Sequence, residues 1–103
     1  MAMILHTVAF KTKHKTGSRE EREFLEAGMA LANLPMVKNF ECYKQTGRKN
    51  PFEFGFSMVF DSDQDYDAYN RHPEHVAFVE NRWNTEVEDF IELDYTRHEI
   101  SEI

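Results

Sequence analysis

Four side chains in this sequence of 103 residues have types and spacing suited to acid–base chemistry. His6 interrupts an otherwise apolar run, Tyr69 lies four residues before Pro73, and two further histidines flank that proline. A neutral histidine can accept a proton, and a tyrosine hydroxyl can donate a hydrogen bond to a carbonyl oxygen or an enolate. The set predicts proton abstraction next to a carbonyl, or an aldol-type ring closure. In this prediction His75 is the base, Tyr69 is the hydrogen-bond donor, and His6 closes the third side of a shared cavity.

Each of these residues also has a structural interpretation. His72 precedes Pro73, a favoured first residue of a helix, so it is expected to cap that helix or to pair with a buried group. Contact with a substrate is the alternative for His72. His75 and Tyr69 could likewise tie the helix to the sheet. In the first turn of its helix, His75 would meet the positive end of the helix dipole, which disfavours the imidazolium form.

The hydrophobic pattern of the first half of the chain predicts the elements that position His6. Residues 3–10 are apolar almost throughout, as in a strand covered on both faces. A capping signal at Ser18 begins a helix that ends near Asn33, ahead of a proline. Two strands follow at about residues 37–45 and 53–61, and the turn between them predicts a hairpin.

The second half predicts two helices and a strand. A capping signal at Ser62 begins a short helix, a second helix starts at Pro73, and a strand covers about residues 89–97. Ser101–Ile103 are expected to fray. The order βαββαβ indicates an α+β, ferredoxin-like domain of residues 1–103, with a four-stranded antiparallel sheet and helices on one face. The predicted helix–sheet core consists of Phe24, Leu25, Leu31, Val76, Phe78, Val79 and Trp83, and the apolar stripe of the last helix is predicted to run through Val76, Val79, Trp83 and Val87.

The face of the sheet that the helices leave uncovered is also expected to be apolar. Residues 3–10 and 91–95 carry more apolar side chains than one covered face can absorb. Because a monomer would leave these side chains in water, the sequence predicts a homodimer that pairs through this face.

Composition excludes several classes of function. A net charge of −7 without a basic stripe argues against nucleic-acid binding. A single cysteine, Cys42, rules out an intrachain disulfide or a multi-cysteine zinc site. The sequence shows no secretion signal and no run of about 18 apolar residues. We therefore expect neither a membrane partner nor a membrane span, and we expect a cytoplasmic location.

Three segments of the chain carry a resemblance to a known family. The sequences HTVAFK at residues 6–11, YNRHPEHV at 69–76 and IELDY at 91–95 resemble the stress-responsive dimeric α/β-barrel (Dabb) family. The most specific element is HPEHV, where the family shows His-Pro-any-His-Val, with Tyr69 three positions earlier. The resemblance covers essentially the whole chain and implies two ferredoxin-like subunits that close an eight-stranded dimeric α/β barrel.

The resemblance also implies roles for individual residues. The catalytic tyrosine and histidine of a polyketide cyclase in that family fall on Tyr69 and His75, and its histidine on the first strand falls on His6. Some relatives hold a magnesium ion through backbone carbonyls after the first helix, and the corresponding residues here are Leu31, Leu34 and Val37. Many members have no assigned activity.

Three functions are therefore open. The first is a Dabb-family barrel protein that binds a small apolar molecule, with His72, Phe24, Phe78 and Trp83 as the binding residues. The second is an enzyme of the cyclase, isomerase or lyase type that needs no organic cofactor. The third is a cofactor-free monooxygenase, which would use a dry aromatic cavity. The size of the cavity that reaches His75 discriminates between a chemical and a structural role.

Overall fold

The computed structural model describes residues 3–100, so Ser101–Ile103, expected to fray, lie outside the described residues. The elements are β1 (Ile4–Thr12), α1 (Arg19–Met29, extended by a 3-10 turn at Ala30–Asn33), β2 (Lys38–Lys44), β3 (Phe54–Phe60), α2 (Asp63–Arg71), α3 (residues 73–86) and β4 (Val87–Tyr95). Within α3, a π-helical segment at Val79–Trp83 separates α-helical Pro73–Phe78 from Asn84–Glu86. The predicted order βαββαβ is confirmed.

The four strands form one antiparallel sheet in the order β2-β3-β1-β4. The predicted ferredoxin-like fold is thereby confirmed. β1 lies in the interior of the sheet, where His6 pairs with Met58 of β3 on one side and with Asp94 of β4 on the other. Among the described residues, no helix is long and apolar enough to cross a bilayer.

Both predicted capping signals start a helix. The hydroxyl of Ser18 accepts the backbone N–H of Glu21 at 3.2 Å, and that of Ser62 accepts the N–H of Asp65 at 3.1 Å. These bonds satisfy N–H groups that have no partner within the helix. They set where α1 and α2 begin, and the start of α2 determines which of its residues face the sheet.

Aromatic rings fill the space between the helices and the sheet. Phe10 and Phe24 are fully buried, and the ring of Phe10 lies 5.9 Å from that of Phe24, 4.8 Å from that of Phe56 and 5.2 Å from that of Trp83. α1 approaches this cluster closely at Gly28, where an added Cβ would lie 2.7 Å from ring carbons of Phe56. The absence of a side chain at Gly28 therefore sets the distance between α1 and the sheet.

The last helix departs from the prediction. Val76, predicted in the core, is 38% exposed, and Val87 begins β4 instead of continuing the helix. A π-helix closes its hydrogen bonds over five residues, so it changes the phase of the residues around it. Phe78 and Trp83, five residues apart, consequently both contact the aromatic core. The prediction of one uninterrupted α-helical apolar stripe through Val76, Val79, Trp83 and Val87 was therefore wrong.

We expect Gly28→Ala to destabilise the protein although alanine is the better helix former. Overpacking of a filled core costs about 1–3 kcal/mol, and the ring of Phe56, itself only 4% exposed, has little room to move aside. Urea unfolding monitored by circular dichroism measures the change. Glu26→Ala on the exposed face of α1 is the control and should stay within about 0.5 kcal/mol of the parent. Unchanged or increased stability in Gly28→Ala would contradict the close packing.

Candidate functional site

A cavity of about 270 Å³ lies between α2, α3 and the helix-facing side of the sheet. Its polar lining consists of His6, Tyr69, Asn70, His75, Asn84 and Glu92. Its apolar lining consists of Val8, Leu31, Phe56, Met58, Phe78, Val79, Trp83 and Phe90. The structure thus brings together on one cavity the three residues that the sequence selected for chemistry, although they lie up to 69 positions apart in the chain.

The junction between α2 and α3 positions His75. His72 caps α3, because its Nδ1 accepts the N–H of Glu74 at 3.1 Å. Pro73 has no N–H to donate. The carbonyl of Asn70, in the last turn of α2, therefore lacks both of the N–H groups that would continue the helix. His75 Nδ1 donates to this carbonyl at 3.4 Å.

This hydrogen bond determines which nitrogen of His75 is available. A proton on Nδ1 leaves the lone pair on Nε2. Burial lowers the pKa of His75; the Asn70 hydrogen bond opposes this shift, while the neighbouring His6 and His72 lower the pKa further. The dipole of α3 was the cause expected from the sequence, but burial is the largest cause here. A neutral imidazole with a free Nε2 can act as a base at neutral pH.

Tyr69 provides a hydroxyl at the same cavity. Its ring centre lies 4.2 Å from that of His75 and 6.3 Å from that of His6, and its side chain is buried. Burial first, and the charge of Glu92 second, raise the pKa of Tyr69 well above its ordinary value. Within residues 3–100, the hydrogen bonds formed by tyrosine hydroxyls belong to Tyr66. The Tyr69 hydroxyl, on the cavity wall, can therefore donate to a ligand.

His6 is held by two residues that sequence reasoning did not select. The β1–β4 register places Asp94 opposite His6, and His6 Nδ1 donates to Asp94 Oδ1 at 2.5 Å. The hydroxyl of Tyr66 donates to Asp94 Oδ2 at 2.7 Å and also lies 3.0 Å from His6 Nδ1. Burial and the hydrogen bond to Asp94 raise the pKa of Tyr66. This arrangement fixes the orientation of the His6 ring, with Nδ1 turned toward Asp94 and Tyr66.

A signal for two of the missed residues was present in the sequence. In a strand, alternate residues point to opposite faces. Along β4, Ile91 and Leu93 share one face, so Glu92 and Asp94 must share the other. The strand alternation therefore already places two carboxylates on the face of β4 opposite Ile91 and Leu93, whereas Tyr66 carried no comparable signal.

Two of the four predicted binding residues do not line the cavity. Phe24 is fully buried in the aromatic core, and His72 uses its ring to cap α3. Neither residue is part of the cavity lining, and a role of either in ligand binding stays a prediction. Phe78 and Trp83 do form part of the wall.

The predicted magnesium ligands lie where α1 meets β2. The carbonyl of Leu31 accepts the N–H of Leu34 at 3.1 Å, and the carbonyl of Leu34 accepts that of Val37 at 3.0 Å. Each of these two carbonyls keeps one lone pair that could face a cation. In residues 3–100, no group of three or more His, Cys, Asp or Glu side chains is arranged to hold a metal ion. The magnesium ion stays a prediction.

We expect His72→Ala to release the first turn of α3. Loss of a capping side chain costs about 1 kcal/mol, and water entering this turn should raise the pKa of His75 toward its ordinary value of 6.5. Denaturant unfolding and an NMR titration of the His75 ring measure the two effects. His72→Asn, which keeps a capping group, should preserve most of both properties. An unchanged His75 pKa in His72→Ala would show that the cap does not position His75.

Comparisons with known proteins agree with this architecture. The model of the Dabb family, the Stress responsive A/B Barrel Domain, matches residues 4–97. A Dabb family protein of ferredoxin-like fold from Mesorhizobium loti is 44% identical, with a TM-score of 0.94 over 96% of this chain and 100% of that chain. No curated protein matches the sequence.

More distant structures share the fold. A dimeric ferredoxin-like protein of unknown function from Thermobifida fusca is 19% identical, with a TM-score of 0.75 over 93% of this chain and 92% of that chain. The hydroxynitrile lyase of Passiflora edulis is 17% identical, with a TM-score of 0.81 over 97% of both chains. With the family match over residues 4–97 and the 44% identical structure, the chain belongs to the Dabb family of stress-responsive A/B barrel domains.

Proposed function

We propose that the cavity binds a small, mainly apolar carbonyl compound and that His75 and Tyr69 catalyse proton transfer at the carbon next to its carbonyl, without an organic cofactor. One observation carries the proposal: a histidine with a free Nε2 and a tyrosine with a free hydroxyl pack against each other on the wall of one cavity. The two groups have the properties of a base and a hydrogen-bond donor, which this reaction needs.

His75 Nε2 takes a proton from the carbon, and the electron pair of the broken C–H bond moves toward the carbonyl oxygen to give an enolate. The Tyr69 hydroxyl donates a hydrogen bond to that oxygen. Return of the proton from His75 to another carbon gives an isomerase. Attack of the enolate carbon on a second carbonyl, whose oxygen takes the proton from His75, gives an aldol cyclase. Departure of a group from the adjacent carbon with the electron pair of its bond, as a carbon–carbon double bond forms, gives a lyase, and His75 can return its proton to the leaving group.

The walls of the cavity support a small substrate. A volume of about 270 Å³ lies near the lower end of the ~300–1,000 Å³ typical of ligand sites. The apolar residues Phe56, Met58 and Phe78 exclude water from one side, which strengthens hydrogen bonds inside the cavity. The hydroxynitrile lyase from Passiflora edulis shows that this fold can carry a small-molecule enzyme, an analogy at the level of the fold alone.

Ligand binding without turnover is the second candidate function, because the same apolar walls would serve it. The monooxygenase alternative is supported by the aromatic walls alone, which include Trp83 and Phe90.

Proton abstraction can be tested before the natural substrate is known. We expect the protein to exchange the protons next to the carbonyl of small neutral ketones, such as acetophenone, for deuterium in D₂O, as followed by NMR. His75→Gln should slow exchange about 10²-fold, and Tyr69→Phe by a comparable factor. The exchange rate should rise with pH as His75 loses its proton, with a midpoint below pH 6.5 because the pKa of His75 is lowered. The rate should then stay constant up to about pH 10, because the raised pKa of Tyr69 keeps its hydroxyl protonated.

Matched variants separate chemistry from stability. His98→Gln and Tyr43→Phe make the same changes at exposed positions outside the cavity and should leave exchange unaltered. Thermal melting should show that His75→Gln stays folded. Exchange at the parent rate in this variant would remove His75 from the mechanism, and binding of ketones without any exchange would favour the binding function.

We also propose that two copies pair through the sheet face opposite the helices, which closes a dimeric barrel. On this outer face, Leu5 is paired with Tyr95, and Ala9 with Ile91. Ile91, Leu93 and Tyr95 are 45%, 46% and 51% exposed in the single chain, which is a large apolar surface for so small a domain. Three structures of this fold, from Thermobifida fusca, Bacteroides fragilis and a Jannaschia species, are described as dimeric, which supports the proposal.

Light scattering at micromolar concentration should give twice the chain mass of 12.2 kDa. Leu5→Asp should split or unfold the dimer, because it buries an unpaired charge at the interface. Val76→Asp, at an exposed apolar position on α3, is the control and should remain dimeric. A monomeric parent protein would contradict pairing through this face.

A further inference from the structure

The cavity contains an uncompensated negative charge. Among residues 3–100, Glu92 contributes the single carboxylate of the lining, and neither lysine nor arginine lines the cavity. The β1–β4 register pairs Glu92 with Val8, so its side chain lies on the helix-facing side of the sheet. Within the described part of the chain, Glu92 forms no ion pair. The neighbouring carboxylate of Asp94, in contrast, is engaged by His6 and Tyr66.

The field of Glu92 already acts on groups in the cavity. After burial, the charge of Glu92 is the next cause that raises the pKa of Tyr69, and it also contributes to the raised pKa of Tyr66. A raised tyrosine pKa means that negative charge on the phenol oxygen is disfavoured. An anionic group of a ligand at the same place would meet the same repulsion.

We infer that Glu92 determines the charge of the ligand, so that the cavity accepts neutral carbonyl compounds and rejects those that carry a carboxylate or phosphate. This inference rests on the proposed function, because it specifies the substrate class of the same cavity. It excludes oxo acids and phosphorylated ketones as substrates. Two independent features carry it: the position of Glu92, unpaired among the described residues, on the cavity wall, and the absence of lysine and arginine from the lining that these residues form.

The same charge does not oppose the proposed reaction. Proton transfer from the substrate to His75 creates an enolate and an imidazolium together, so the total charge of the cavity is unchanged. An anionic ligand, in contrast, adds a net negative charge beside Glu92. The carboxylate therefore discriminates at the binding step and leaves the proton transfer available to neutral ligands.

Matched ketones can test this inference in the intact protein. Trp83, the one tryptophan of the sequence, lines the cavity, so its indole N–H signal in NMR reports binding directly. The probes are methyl 4-acetylbenzoate, which is neutral, and 4-acetylbenzoate, which has nearly the same shape and one negative charge. We expect the parent protein to bind the carboxylate at least about tenfold more weakly than the ester, because two like charges about 4 Å apart repel each other by that amount or more at a protein surface.

A variant identifies the residue responsible. Glu92→Gln should bring the affinity for 4-acetylbenzoate to within about threefold of that for the ester, while affinity for the ester changes little. Glu80→Gln, at an exposed position of α3 outside the cavity, removes the same charge and should leave the discrimination intact. If Glu92→Gln does not fold, salt gives a second measurement: higher ionic strength should narrow the gap between the two probes in the parent protein.

The outcomes separate this inference from the function on which it rests. Equal binding of the ester and the carboxylate by the parent protein, or unchanged discrimination in folded Glu92→Gln, overturns the role of Glu92 and leaves the proposed function standing. An indole signal that neither acetophenone nor the ester moves at millimolar concentration overturns ligand binding in the cavity, and the inference with it.

Discussion

The missing N–H of Pro73 is the constraint on which the candidate site depends. A proline at the first position of α3 ends α2 and cannot donate to the last carbonyls of that helix. His72 then satisfies the N–H of Glu74, and His75 satisfies the carbonyl of Asn70. The requirement that backbone polar groups be paired thus places the ring of His75, with its Nδ1 toward Asn70, beside the ring of Tyr69 in the last turn of α2.

The cavity and the outer face of the sheet both depend on β4, because this strand contributes side chains to each of them. Its alternation presents Glu92 and Asp94 to the helices, and Ile91 and Leu93 to the opposite side. The first pair supplies the charge of the cavity and the partner of His6, whereas the second pair forms the apolar outer face. A shift of register by one residue would exchange these surfaces, so cavity and outer face must be specified together.

Packing keeps the site in place. The close approach of α1 at Gly28 and the π-helical segment of α3 direct Phe78 and Trp83 into the same aromatic cluster, and both rings also line the cavity. A wall that is part of the core cannot relax around a ligand without disturbing the core. The site therefore consists of polar groups on a rigid apolar frame, the arrangement that precise proton transfer requires.

The sequence by itself determined the order of elements, both capping serines, the helix break at Pro73 and the histidines and tyrosine that share the cavity, because each of these has a local signal in residue type or spacing. Tertiary structure decided the rest. Pairing of Asp94 with His6 depends on a register between strands 88 positions apart, which no local pattern encodes. The π-helical segment that lets both Phe78 and Trp83 reach the aromatic core has no signature in residue type or spacing. Val76, two residues before the buried Phe78, lies on the exposed side of that helix. That Phe24 lies in the aromatic core and not on the cavity wall likewise depends on how the rings pack in three dimensions, which no local sequence pattern encodes.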